Sequence, residues 1–263
     1  MGMRIATWNV NGLRSAAKKG VRTHLDAIVP DVLLLQEIRV TPDAAPEGWG
    51  PDAHERVHWN PAQKAGYAGT LVSSRHAMKV EGVGLAQGRA GDDPEGRLVL
   101  ARVGPMRVAS VYLPSGSSGE HRQVEKEKWM AEFIRWAEPL ARSRVPCVLG
   151  GDFNIARTEK DIFHAKSNEK NSGFLPHERA WMEELLGSGW HDLTREHAGD
   201  VHGPYSWWSN RGGARQLDRG WRIDYLLANK AARKAFAGVR TEREMGLAIS
   251  DHAPVIAEFD LDV

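Results

Sequence analysis

Eight short runs rich in β-branched and other apolar residues recur along the chain, at residues 3–8, 32–35, 70–73, 98–103, 107–112, 145–149, 223–228 and 255–259. Their length, and the apolar–polar alternation within several, predict strands. The constraint lies in what stands at their ends. The first run leads into Asn9 and Asn11, and the second into Gln36 and Glu37. Another closes on Tyr112, and Val148-Leu149 passes through two glycines to Asp152 and Asn154. Asp224 sits inside the run at 223–228, and Asp251-His252 stands just before the last one. Strand ends meet at sheet edges where loops are exposed, so polar residues distributed this way can converge on one site.

Between the runs, apolar positions at Met130, Phe133, Ile134, Ala137, Leu140 and Ala141 predict a helix over residues 120–144, with Pro146 beyond its end. Shorter helices are expected over 13–28 and 177–186, and loops over 42–51, 87–96 and 114–119. Nothing reads as a linker or a solenoid repeat. Many strands with few helices predict sheets covered by helices, in one domain spanning 1–263.

Composition removes several classes. With 41% hydrophobic and 26% charged residues the chain has the make-up of a folded globular protein. A lone cysteine, Cys147, excludes an intramolecular disulfide framework and a cysteine-rich zinc site, and fits a reducing cytoplasm. No apolar run approaches a membrane span, and the opening residues match neither a secretory leader nor a myristoylation signal. The 35 basic and 34 acidic residues nearly cancel, which argues on average against a strongly basic nucleic-acid binder. Residues 205–240, however, carry eight basic residues against two acidic ones, together with Trp207, Trp208 and Trp221. Interleaved arginine and aromatic residues suit a surface that neutralises phosphates and stacks on sugars or bases. The plainer alternative is a solvated basic face over buried tryptophans.

Each strand-end residue also has a structural explanation when taken singly. Asp152 could be a turn residue, Asn9 a helix cap, Asp224 a buried acid paired with an arginine, and His252 a hydrogen-bonded core histidine. Together they form a pattern. Trp-Asn-Val-Asn-Gly-Leu-Arg from Trp8, Leu-Gln-Glu to Glu37, Gly-Asp-Phe-Asn to Asn154, Trp-Arg-Ile-Asp-Tyr from Trp221 and Ser-Asp-His-Ala-Pro from Ser250 occur in the order that resembles the exonuclease III family of abasic-site endonucleases. The segment from Asn168 to Phe174, Gly66-Tyr67-Ala68-Gly69 and Val111-Tyr112-Leu113-Pro114 extend the likeness over essentially the whole chain. Leu-Gln-Glu, Gly-Asp-x-Asn and Ser-Asp-His alone would point only to the broader endonuclease, exonuclease and phosphatase superfamily. The Asn-x-x-Asn-x-Gly-Phe segment and Trp-Arg-Ile-Asp narrow it to the DNA-repair branch.

The resemblance implies an α/β fold, a four-layer αββα sandwich of two mixed sheets face to face with helices outside. It implies Mg²⁺, with Mn²⁺ as a substitute, held by Glu37 with Asn11 and Asp251 nearby. Magnesium suits phosphodiester hydrolysis because it keeps several waters and needs only one or two carboxylates. The resemblance casts Asp152 as the group that orients or deprotonates the attacking water, positioned by Asn154 and Asn9. His252 would donate to a nonbridging phosphate oxygen, oriented by Asp224, and Tyr112 would contact the phosphate or assist the leaving group. Asn168 and Asn171 would hold the scissile phosphate. Trp207, Trp221 and Ile223 would wall a pocket for a flipped, baseless sugar, with Tyr67, Arg14 and Arg211 on the DNA. The 114–119 loop lacks the long side chain that relatives place near Ser118, so Arg211 or Trp208 is expected to be the wedge.

The expected partner is double-stranded DNA with abasic sites or 3′ ends, and the expected state is a cytoplasmic, nucleoid-associated monomer without membrane contact. Three alternatives stand beside this reading. One is a 3′-phosphatase or 3′-exonuclease specialist with weak endonuclease activity. The second uses the same core on inositol phosphates, sphingolipids or unspecific DNA. The third is an inactive nucleic-acid-binding module, which would be expected to have lost Glu37, Asp152, Asp251 or His252.

Overall fold

The computed structural model describes residues 2–85 and 93–261. Twelve strands are described: β1 (Met3–Asn9), β2 (Val32–Gln36), β3 (Arg56–Asn60), β4 (Thr70–Ser74), β5 (Met78–Val83), β6 (Leu98–Val103), β7 (Met106–Tyr112), β8 (Cys147–Asp152), β9 (Trp190–Asp192), β10 (Asp224–Asn229), β11 (Phe236–Thr241) and β12 (Val255–Phe259). They form two six-stranded sheets, ordered β11-β12-β1-β2-β4-β3 and β5-β6-β7-β8-β10-β9. Each has one parallel pair at its centre, β1 with β2 and β7 with β8, flanked on both sides by antiparallel pairs. The four-layer sandwich expected from the sequence is therefore observed, with the same strand pattern in both halves.

Strands buried on both faces account for the near-continuous apolar runs. Met3, Ile5, Val32 and Leu34 of one sheet meet Val99, Ala101, Val108 and Leu226 of the other in a fully buried central layer. The opposite face of the first sheet, with Ala6, Trp8, Leu33 and Leu35, packs on helices α1 (Leu13–Lys18) and α2 (Val21–Ile28). That of the second sheet packs on α3 (Glu120–Ala141), through Met130 and Phe133. Beyond the short α4 (Ala165–Asn168), α5 (Pro176–Gly187) adds Met182 and Leu185 to the same layer. Two expected helix boundaries change. The helix expected over 13–28 is broken at Gly20, whose φ of 83° is a left-handed turn glycine favours. The long helix ends at Ala141, where the Asn229 amide donates to the carbonyls of Leu140, Ser143 and Val145 at 2.9–3.3 Å and captures the chain as it turns toward β8. Of the expected loop over 87–96, residues 87–92 lie outside the described residues; the loops at 42–51 and 114–119 are found, the former with one 3₁₀ turn at Pro42–Ala44.

The topology brings one set of strand ends together. Asn9 and Glu37 lie at or just beyond the C-terminal ends of the parallel pair β1–β2, and Tyr112 and Asp152 end the pair β7–β8. Asp224 opens β10 directly opposite Asp152, and His252 precedes β12, which runs antiparallel to β1. Beneath them the sheets are joined by buried hydrogen bonds, the Gln36 amide donating to Ser110 Oγ at 3.0 Å and the Ser110 hydroxyl donating to the Leu35 carbonyl at 3.0 Å.

Candidate active site

The strand ends open into a cleft of about 850 Å³. At its floor Asn9 joins the two halves of the molecule. Its Nδ2 donates to Glu37 Oε1 at 2.8 Å and to Asp152 Oδ2 at 3.0 Å, while its Oδ1 accepts the Asn11 N–H at 3.0 Å. Asn154 holds Asp152 from the other side, its backbone N–H at 2.8 Å from Oδ1 and its amide at 3.2 Å from Oδ2. Four non-glycine residues here, Asn11, Glu37, Arg39 and Asn154, have φ between 47° and 54°. Such left-handed backbone costs energy outside glycine and persists only where its surroundings impose it; clusters of it mark functional sites.

The second half of the site is a buried relay. His252 Nδ1 lies 2.9 Å from Asp224 Oδ2, which also accepts the Ser206 hydroxyl at 2.7 Å. His252 Nε2 faces Asp152 Oδ2 at 3.9 Å. Burial by itself lowers the imidazole pKa, but the carboxylates of Asp224 and Asp152 outweigh it and raise the value to about 10. The ring is thus a cation at neutral pH. Burial pushes Asp152 upward, with Asp224 and Glu37 adding to the rise against the opposing pull of His252, to about 7. The Tyr112 phenol, desolvated and facing Glu37 and Asp152, is held well above its ordinary value, so it remains a neutral donor.

One donor atom each from Glu37, Asp152 and His252 lies within 4.8 Å of the others, a cluster that could hold a metal ion. A protonated imidazole whose Nδ1 is committed to Asp224 is not a ligand, so the oxygens of Glu37 and Asp152 are the available donors. An oxygen set with one or two carboxylates fits a hard divalent cation. Asp251, the other carboxylate expected near the metal, lines the same cleft. Its Oδ1 accepts from the Asn11 amide at 2.8 Å and its Oδ2 from Trp207 Nε1 at 3.1 Å.

Trp207 and Trp221 meet edge to face at 5.9 Å between ring centroids. With Ile223 they pack on Ile162 and Phe174, and all three line the cleft. Asn168 and Asn171, joined by a 2.8 Å amide contact, also line the cleft, and Arg211 is exposed at its mouth. Thirteen of the residues singled out from the sequence therefore line the cleft, with Asn9 and Asp224 directly behind.

Two expectations, the Trp208 wedge and the single basic face, require correction, and two expected DNA contacts, Tyr67 and Arg14, stand outside the cleft itself. Trp208 cannot be a wedge, since it is fully buried and donates to Asp218 at 2.8 Å. Tyr67 lies outside the cleft lining, its hydroxyl accepting from Arg122 at 2.8 Å. Arg14 is exposed on α1 and also does not line the cleft. The basic stretch at 205–240 does not form one positive face. Arg222 is 1% exposed and bonded to Asp161 and Asp192 at 2.7 Å, Arg215 donates to the carbonyls of Leu247 and Ser250, Arg233 pairs with Glu196, and Arg240 with Glu242 and Glu258. Only Arg211 of that stretch's basic residues lines the cleft.

Two site residues were not anticipated. Arg39 pairs with Glu37 Oε2, and the one available signal was its position two residues beyond the carboxylate. Ser206 binds Asp224 and accepts the N–H groups of Ile223 and Asp224 at 3.1 and 3.0 Å, and no local pattern marks it.

Known proteins are similar to this chain along nearly its whole length. An exodeoxyribonuclease of Bacillus subtilis is 34% identical over 260 residues, covering 96% of this chain and 98% of that one. A DNA-(apurinic or apyrimidinic site) endonuclease of Dictyostelium discoideum is 30% identical, covering 99% of this chain and 71% of its own. The solved structure of a 3′ phosphatase from Neisseria bound to product DNA hairpin is 31% identical, with a TM-score of 0.84 over 98% of this chain and 100% of that one. Residues 6–252 match the family's sequence description, and with that match the chain belongs to the Endonuclease/Exonuclease/phosphatase family.

Proposed function

We propose that this chain is a metal-dependent DNA-repair phosphodiesterase, one catalytic unit over residues 1–263. It hydrolyses the phosphodiester 5′ to abasic sites in duplex DNA and removes 3′ blocking groups or nucleotides. The observation that carries this reading is the pairing of a buried base with a buried acid, Asp152 and His252, across 3.9 Å at the floor of an open cleft. A carboxylate raised to about 7 is far better matched to take a proton from water near neutral pH than an ordinary aspartate. Asn9 and Asn154 fix its oxygens, so the proton acceptor is aimed before substrate arrives. The Asp224-oriented imidazolium presents Nε2–H to a nonbridging phosphate oxygen, and the neutral Tyr112 phenol offers a further donor to the phosphate or leaving oxygen.

Mg²⁺, or Mn²⁺ in its place, fits the oxygen donors of Glu37, with Asn11 and Asp251 adjacent on the same cleft, and when bound would neutralise charge on the phosphate. Trp207, Trp221 and Ile223 form a small aromatic recess suited to a sugar without a base, since extruding a missing base forfeits little stacking. Asn168 and Asn171 reach the phosphate from the rim and Arg211 the adjoining backbone. The names of the relatives from Bacillus and Dictyostelium support both the exonuclease and the abasic-site activities. A monomer acting at the bacterial nucleoid in the cytoplasm completes the proposal; no helix among the described residues is long and apolar enough to cross a membrane.

A second reading, a 3′-end specialist, draws on two features. The Ser115–Gly119 loop offers no long side chain and Trp208 is buried, so Arg211 alone is left of the two expected wedges. The test compares a duplex carrying one abasic analogue with a 3′-phosphate duplex, each with and without Mg²⁺. Cation-dependent cleavage of both supports the main reading, and cleavage of the 3′-phosphate substrate alone supports the second. Cleavage of neither refutes both.

A further inference from the structure

Behind the cleft wall lies an ion pair that the hydrolytic chemistry does not use. Lys126 of α3 and Glu178 of α5 are both fully buried, with Nζ 2.6 Å from Oε1. Desolvating two charges costs more than a bare pair returns unless further hydrogen bonds complete the geometry. Here they are complete. The three ammonium donors meet three acceptors: Glu178 Oε1, the Asn154 carbonyl at 3.0 Å and Ser172 Oγ at 3.5 Å. Glu178 Oε2 in turn accepts the N–H groups of Gly173 at 2.6 Å and Leu175 at 3.1 Å.

Apart from Leu175, which caps α5, every group held this way leads into the site. Asn154 carries its left-handed φ of 49° and feeds both oxygens of Asp152. Gly173, at φ 95°, packs so closely that an added Cβ would sit 3.0 Å from the Trp221 ring and 3.1 Å from the Asn154 carbonyl. Asn171 and Ser172 immediately precede it on the cleft rim. The two helices do not need the pair to adhere, because Met130, Phe133, Met182 and Leu185 already bury their contact with the sheet.

We infer that Lys126 and Glu178 are positioning residues, a charged clamp that holds the Asn154 backbone and the rim segment around Gly173 in one geometry, and through them Asp152 and Trp221. For its rate measurement the inference rests on the nuclease reading; for its exchange measurement it does not. The double variant Lys126→Met/Glu178→Leu removes both charges at similar volume, and Glu178→Gln serves as a second, nearly isosteric variant. Expected for the double variant is a Tm within a few degrees of the parent and single-turnover cleavage of a Mg²⁺-loaded abasic-analogue duplex slowed at least tenfold. DNA affinity should change less than threefold, and amide exchange at Gly173 and Leu175 should be at least tenfold faster. Glu178→Gln, which leaves Lys126 buried without its counter-charge, should lower the Tm further and show the rate and local-exchange effects at about threefold.

Cleavage within twofold of the parent in both variants overturns the inference. So does slowed cleavage without faster exchange at Gly173, or faster exchange spread evenly over the molecule. If the double variant does not fold, the same criteria apply to Glu178→Gln. If the parent protein cleaves nothing, the nuclease reading fails, and local exchange alone then decides the clamp.

Discussion

Replacing Asp224 with asparagine removes the charge that sits 2.9 Å from His252 Nδ1 while keeping the side chain's shape. In the intact site the ring's pKa rises from 6.5 to about 10 in spite of its burial. That rise corresponds to roughly 5 kcal/mol in favour of the imidazolium. Asp224 is the first of the carboxylates responsible, ahead of Asp152 and Asp251. Without its charge, burial opposes the remaining two and the ring falls back toward an ordinary histidine value, about 6.5. At pH 8 roughly one ring in thirty would then carry the proton, against nearly all in the parent. Cleavage at pH 8 should therefore fall about thirtyfold if the acid's protonation is what matters.

The pH direction follows from the raised value. Below 6.5 the ring is charged in both proteins and the gap closes. It opens as pH rises through 6.5 and persists until about 10, where the parent ring also loses its proton. The stability that the ion pair adds runs the opposite way, fully present below 6.5 and lost as pH rises through the folded-state value near 10. A divalent cation beside Asp152 repels the imidazolium and draws these values down, so parent and variant are compared at one metal concentration. Single-turnover cleavage of an abasic-analogue duplex from pH 6 to pH 10 supplies the profile, and NMR titration of the imidazole supplies a readout independent of activity. A variant that loses the same factor at pH 6 and pH 8 would refute the reasoning, because Asp224 would then act by orientation alone.

Asp152→Asn removes the proton acceptor while keeping its hydrogen-bond geometry, so turnover should drop by orders of magnitude with DNA affinity nearly unchanged; parallel loss of both, measured by single-turnover kinetics and fluorescence anisotropy, would contradict it. Trp221→Ala should slow abasic-site cleavage more than 3′-phosphate removal, since only the former needs the aromatic recess, and equal losses would remove the recess from the specificity argument. Arg211→Ala should lower the slope of log affinity against log salt by about 1, as expected for one phosphate contact. Arg222→Met should leave that slope alone yet destabilise the fold by about 3–5 kcal/mol in denaturant titration, because Asp161 and Asp192 would be left buried without their cation. Chelation of divalent cations should abolish cleavage and Mg²⁺ should restore it, with rate recovery plotted against free cation as the check.

The central strands were legible because they are apolar on both faces. β1, β2, β4, β6, β7, β8, β10 and β12 coincide with the eight runs seen in the sequence, give or take a few residues. The four unanticipated strands, β3, β5, β9 and β11, are the outer strands of the two sheets. Exposed on one side, they are short or carry mixed polar and apolar residues, such as Arg56-Val57-His58-Trp59-Asn60 in β3. An edge strand gains its hydrogen bonds from one neighbour and its burial from one face, so its composition resembles that of a loop.

By itself the sequence determined the buried central strands and the residues at their ends, because burial on both faces writes itself into composition and the site motifs are local in the chain. Which charges face the substrate was decided only by the tertiary structure. Arg222 and Arg211 look alike in the chain, yet one is locked between Asp161 and Asp192 in the interior and the other stands open at the cleft mouth. The Asp152 carboxyl is raised toward neutral pH, and the His252 ring keeps its proton there, because folding removes water from both and sets Asp224 beside the ring. Composition records how many charges a chain carries. Their pairing and desolvation depend on contacts between residues such as Lys126 and Glu178, which lie 52 positions apart.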